Sequence, residues 1–182
     1  MILFDTKYLQ LKMTQTKDGH QWVYAHRPNV TDVVVILPII NNSKVLFITE
    51  NRPSIDTELG NRMAIGIPAG LVGDERQGES LIDAVKAELL EEAGLVADKI
   101  VIKSKCIASS AGCTSETYSI AFAYVNEYKL KSQPIDDGGI IIKRELVDIK
   151  NIGKWLNEKQ NAGYILTAQM LSALYYLKEE IK

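Results

Sequence analysis

Apolar and polar positions change their period several times along this chain. Residues 33–40, Val-Val-Val-Ile-Leu-Pro-Ile-Ile, are continuously apolar and mostly β-branched. A run this short, apolar at both odd and even positions, predicts a strand over Asp32–Ile40 buried on both faces. Asn41-Asn42-Ser43-Lys44 turns the chain into a second strand, Val45 to Thr49. Upstream, two short runs, Tyr8 to Lys12 and Gln21 to Ala25, flank the turn signal Lys17-Asp18-Gly19 and predict a small N-terminal hairpin. Residues 51–61 are polar and contain Pro53 and Gly60, so they read as a loop. Met63 to Ile67 reads as a short strand stopped by Pro68.

Residues 69–78 carry Gly70, Gly73 and Gly78 among several charges, the pattern of an exposed loop. A helix then begins at Ser80, with Asp83 where a capping box wants an acid, and ends at Gly94. Further strands are expected at Ile100 to Ile107, Tyr118 to Val125 and Ile140 to Asp148. Two helical stretches close the chain, Ile152 to Lys159 and Ala168 to Ile181, the latter capped by Thr167. Met170 and Tyr175 to Leu177 form the core-facing stripe of the last helix. Strands interleaved with helices predict an α/β or α+β sandwich.

Composition narrows the class of protein. A chain of 182 residues, 46% hydrophobic and 24% charged, is long enough for one self-sufficient core, and it reads as one domain over 1–182. The net charge of −2 offers no basic surface for nucleic acid. It does not exclude an anionic substrate, because a bound divalent cation inverts the local field. The longest apolar stretch is too short to span a bilayer, and Asp5 and Lys7 interrupt any signal-like run. Cys106 and Cys113 read as free thiols, which favours a cytoplasmic location.

The chemistry concentrates on the helix from Ser80. Leu81, Val85, Glu88 and Glu92 fall in one row, and Glu91 lies three residues after Glu88. Three carboxylates therefore share a sector with apolar residues that should face the core. Such a cluster suffers mutual repulsion and desolvation, and a divalent cation relieves both. Oxygen-only ligands suit Mg²⁺ or Mn²⁺ better than zinc. Glutamate is also a good helix former, so an ordinary solvated helix is the alternative. The segment Ile67-Pro68-Ala69-Gly70 shifts the balance. It ends a strand and opens a glycine-rich approach to the helix, suited to bringing backbone carbonyls near a metal and N–H groups near a phosphate.

Gly73, Glu79 and the run Ala87-Glu88-Leu89-Leu90-Glu91-Glu92-Ala93-Gly94-Leu95 resemble the signature box of the Nudix hydrolases in residue type and spacing. Pro68-Ala69-Gly70 and Ser110-Ala111-Gly112-Cys113-Thr114-Ser115-Glu116 are similar to segments of that family's ADP-ribose pyrophosphatase branch. The resemblance implies an α/β/α sandwich with a mixed sheet and a small N-terminal hairpin. It implies Mg²⁺ (or Mn²⁺) held by Glu88, Glu91, Glu92 and the Ala69 carbonyl. The activity implied is hydrolysis of a pyrophosphate joining a nucleoside to a second group, with ADP-ribose or a nucleotide sugar foremost.

Arg27, Arg52, Arg62, Gly70 and Trp22 would bind substrate, Arg52 and Arg62 through phosphate and the indole by stacking. Glu116 and Asp137 would join the box glutamates in catalysis. Residues 1–28 would help form a homodimer. Four positions depart from the pattern: Ala87 replaces an arginine, Gly66 a glutamate and Ala111 a proline, and near Ile140 and Ile141 an expected acid is absent. These departures leave a second reading open, a Nudix-fold nucleotide sensor with impaired catalysis.

Overall fold

The structure is a computed structural model describing residues 1–73, 78–132 and 140–181. In chain order the elements are β1 (Ile2–Asp5), β2 (Gln10–Gln15), β3 (Gln21–His26), β4 (Asp32–Ile40), β5 (Lys44–Glu50) and α1 (Pro53–Leu59). They continue with β6 (Ala64–Gly66), β7 (Ala69–Val72), α2 (Leu81–Ala93), β8 (Lys99–Ala108), β9 (Thr117–Val125) and β10 (Ile141–Asp148). A 3₁₀ turn at Ile149–Asn151 leads to α3 (Ile152–Asn161), β11 (Ile165–Leu166) and α4 (Ala168–Ile181).

An eight-stranded mixed sheet forms the body. Its path runs β11-β6-β5-β4-β9-β8, with β10 paired to β5 and β7 paired to β4. The β4–β9 pairing is parallel and β4–β5 antiparallel. β4 explains the double-sided apolar run. Val34, Ile36 and Ile40 point into one core with Val85, Leu89 and Ala93 of α2. Val35, Leu37 and Ile39 point into the other, with Leu156 of α3 and Met170, Ala173 and Leu177 of α4. Successive strand side chains alternate between faces, so a strand covered by helices on both sides must be apolar at every position. The result is the α/β/α sandwich expected from the sequence.

The N-terminal segment differs from the expected hairpin by one strand. β1 adds antiparallel to β2, giving a separate three-stranded sheet, β1-β2-β3. Residues 53–59 form α1 where a loop was expected. Pro53 presets the backbone angle of the first turn, and Gly60, at φ 72°, ends it in the left-handed region. None of its residues is buried, so no apolar periodicity announced it. Residues 69–72 form β7, not an exposed loop. Pro68 lacks an N–H, but its carbonyl accepts from Ile36 N at 2.8 Å, and the chain passes from β5's flank to β4's. On α4, Met170 and Leu177 are core as expected, whereas Tyr175 is 60% exposed and is corrected to a surface residue. Both cysteines are free and exposed. Among the described residues no helix is long and apolar enough to cross a membrane.

Candidate functional site

α2 starts and stops as its sequence requires. The Ser80 hydroxyl accepts from Asp83 N and hydrogen-bonds the Asp83 carboxylate, and Gly94 closes the helix at φ 67°. Ala84, Val85, Leu89 and Ala93 are buried against the sheet, which fixes the helix's rotation. That rotation brings Glu88 and Glu92 to the edge of the buried face, beside β7. A Cβ on residue 70 would overlap the Glu88 carboxylate, so only glycine permits this approach. One residue earlier, the Ala69 amide N–H donates to Glu92 Oε2 at 3.0 Å. The strand end and the acidic helix expected to meet do meet.

These groups open on a cavity of about 620 Å³. Its lining includes Glu88, Glu91 and Glu92 from α2, Ala69 and Gly70 from β7, and Glu50 at the end of β5. Arg27, Arg52 and Glu116 line it as well. Arg27 Nε pairs with Glu116 Oε2 at 2.7 Å, and Ser109 Oγ donates to Glu116 Oε1 at 2.9 Å. The loop carrying Glu116 is clipped to β3: Ala25 N donates to the Cys113 carbonyl at 2.8 Å, and Ser115 N to the Ala25 carbonyl at 3.1 Å. These two bonds fix where Arg27 leaves β3.

Burial controls the charges. Desolvation pushes the Glu92 carboxyl up to about 8, the Ala69 N–H opposes the rise, and the Glu88 and Glu50 charges add to it. Glu50 is also raised, by desolvation, against the pull of Arg52. A cation would stabilise both anions. All the side-chain donors are carboxylate oxygens, the ligand type of a hard divalent ion. Among the described residues, however, no three His, Cys, Asp or Glu side chains are close enough to hold a metal as they stand.

The expected site residues separate into three groups. Arg27, Arg52, Ala69, Gly70, Glu88, Glu91, Glu92 and Glu116 converge on the cavity. Trp22, exposed on β3, and Arg62, exposed before β6, are not among its lining residues. Asp137 lies outside the described residues. Four participants escaped the sequence reading of the site. Glu50 is 2% exposed, and its only sequence signal is a carboxylate closing a strand whose middle, Val45 to Ile48, is apolar. Thr167 and Gln169, at the start of α4, line the cavity from the opposite layer. Arg144 of β10 donates through Nε to the Glu92 carbonyl in the last turn of α2.

A helix carrying acids at the edge of a mixed sheet faces a glycine-bearing strand end across a polar cavity, the arrangement and fold that the resemblance to the Nudix hydrolases implies. Comparison with solved structures agrees. The chain is similar to one described as an ADP compounds hydrolase, at 20% identity and a TM-score of 0.72, over 100% of this chain and 93% of that one. It is also similar to the NUDIX domain of Shewanella oneidensis NrtR complexed with ADP ribose. That match has 16% identity and a TM-score of 0.55, over 82% of this chain and 87% of that one. No family model and no curated protein matches the sequence.

Proposed function

We propose that this protein is a Mg²⁺-dependent (or Mn²⁺-dependent) Nudix pyrophosphohydrolase. It cleaves the pyrophosphate of a nucleoside diphosphate linked to a second moiety, with ADP-ribose or a nucleotide sugar as the first candidates. The observation that carries this reading is the meeting of Glu88 with Gly70 and Glu92 with Ala69 in a cavity that also holds two arginines. The fold is shared with an ADP compounds hydrolase, which makes an adenosine diphosphate derivative the natural first substrate to test.

Glu88, Glu92 and Glu91 would hold the cation, with the Ala69 carbonyl as a further ligand. When bound, the cation would neutralise phosphate charge and lower the pKa of an attacking water. Arg27 and Arg52 supply the cationic groups that orient phosphate oxygens, and both are partly exposed to the cavity. Glu116 holds Arg27 in place and lines the cavity itself, so it is available to accept a hydrogen bond from water or sugar. Asp137 remains the candidate for an additional base.

The test is incubation with ADP-ribose and Mg²⁺, separating products by chromatography. AMP and ribose 5-phosphate are expected, and their absence across a panel of nucleotide sugars, dinucleoside polyphosphates, NADH and coenzyme A would sink the enzymatic reading. Ala87, in place of the box arginine, favours a second reading, a nucleotide sensor. That reading expects ADP-ribose binding without turnover. A homodimer and a cytoplasmic location complete the proposal. Exposed Phe4, Tyr8 and Trp22 on and beside the N-terminal sheet support the dimer.

A further inference from the structure

Glu50 is the least exposed charged residue among the described residues, at 2%, and it lines the same cavity as the box glutamates. Arg52, itself partly exposed, is its ion-pair partner at Oε2. A buried carboxylate is costly to desolvate, and a cation in the same cavity would offset that cost further. Its other oxygen, Oε1, lies 2.7 Å from where a Cβ on residue 66 would stand. Any side chain at position 66 would therefore displace the Glu50 carboxylate, and Gly66 makes room for it. Position 66 is also where the Nudix resemblance places an acid that this chain lacks.

We infer that Glu50 is a positioning residue of the cation site. Its carboxylate reaches from β5 into the space vacated at position 66 and completes the negative field in which Glu88 and Glu92 hold the metal. The inference rests on the proposed metal-dependent function. Two features of the neighbourhood fit it. Gly66 and Ile48 are register partners on adjacent strands, so a long side chain two residues after Ile48 can cross to the glycine. Thr167 Oγ1 lies 3.4 Å from the same Cβ position, closing the pocket from the α4 side.

The experiment is a Mn²⁺ titration, by calorimetry or electron paramagnetic resonance, on the full chain without nucleotide. Glu50→Gln keeps the shape and removes the charge, and Glu50→Asp withdraws the carboxylate by one methylene. Both should keep their circular dichroism and lose about 10- to 100-fold in Mn²⁺ affinity, as removal of groups just outside the ligand shell does. Arg52→Ala should leave Mn²⁺ affinity equal or higher, because it deletes a competing positive charge. Unchanged Mn²⁺ affinity in either folded Glu50 variant overturns the inference. So does an Arg52→Ala loss equal to that of Glu50→Gln, which would mean that Glu50 only holds the arginine. If the wild-type chain binds no Mn²⁺, the metal-dependent reading itself fails, an outcome distinct from the other two.

Discussion

Two residues decide how the proposed cation site should behave. Gly70 is required because its missing side chain is what admits the Glu88 carboxylate. Gly70→Ala should keep the fold, since the residue is only half-buried, and should lower Mn²⁺ affinity by about 10- to 100-fold. A titration alongside the Glu50 variants measures this directly. Glu92 controls the pH behaviour. Its carboxyl is raised to about 8 by burial, so between its ordinary value of 4.5 and about 8 the metal-free folded chain holds a proton that the unfolded chain has lost. Stability associated with this group is present below 4.5 and lost as pH rises through 8. Metal-free protein should therefore melt at a lower temperature at pH 9 than at pH 6, and Glu92→Gln should reduce that difference. Cation binding must expel the same proton, so Mn²⁺ affinity should climb with pH and level off above about 8.

At the scale of elements, α2 is the part whose placement decides everything chemical. Its ends are specified locally by Ser80 and Gly94, and its rotation by Val85 and Leu89. Ser80→Ala should cost about 1 kcal/mol, the usual worth of an N-cap, measured by denaturant unfolding. Arg144 anchors the other end from β10, and Arg144→Met should cost about 2 kcal/mol, as loss of a charged hydrogen-bond donor does. If Arg144 also stands in for the absent box arginine, that variant should lower turnover more than its stability loss explains. A wild-type kcat in folded Arg144→Met would show that the contact only ties helix to strand. β4 and α2 were legible in the sequence because each carries its own periodicity. α1 and β1 were not. α1 buries nothing and so shows no apolar period, and β1 offers only three consecutive apolar residues before Asp5, too few to show a strand's alternation.

On the whole-molecule scale, the three-stranded N-terminal sheet is the anomaly. Ile2, Leu3, Phe4, Tyr8, Leu9, Leu11, Trp22 and Val23 are all at least 40% exposed, on or beside one small sheet. An exposed apolar surface of this extent marks an interaction site, and a second copy is the proposed partner. Light scattering should report a dimer, and Phe4→Glu with Trp22→Glu should give a folded monomer. A monomeric wild type at micromolar concentration would refute the dimer. The same sheet positions one wall of the cavity, because β3 is clipped to the 110–116 loop and Arg27 follows it.

The sequence by itself determined the layers, the acidic helix and the strand end it faces. Those depend on local rules: apolar period, caps, and a proline followed by a glycine. Tertiary structure alone decided which charges meet. Glu50 reaches Gly66 across a strand pair, Arg27 finds Glu116 from 89 residues away, and Arg144 reaches α2 from a strand 52 residues further on. Contacts of this kind depend on how strands order themselves in the sheet. That order is chosen by burial over the whole chain, and no window of sequence contains it.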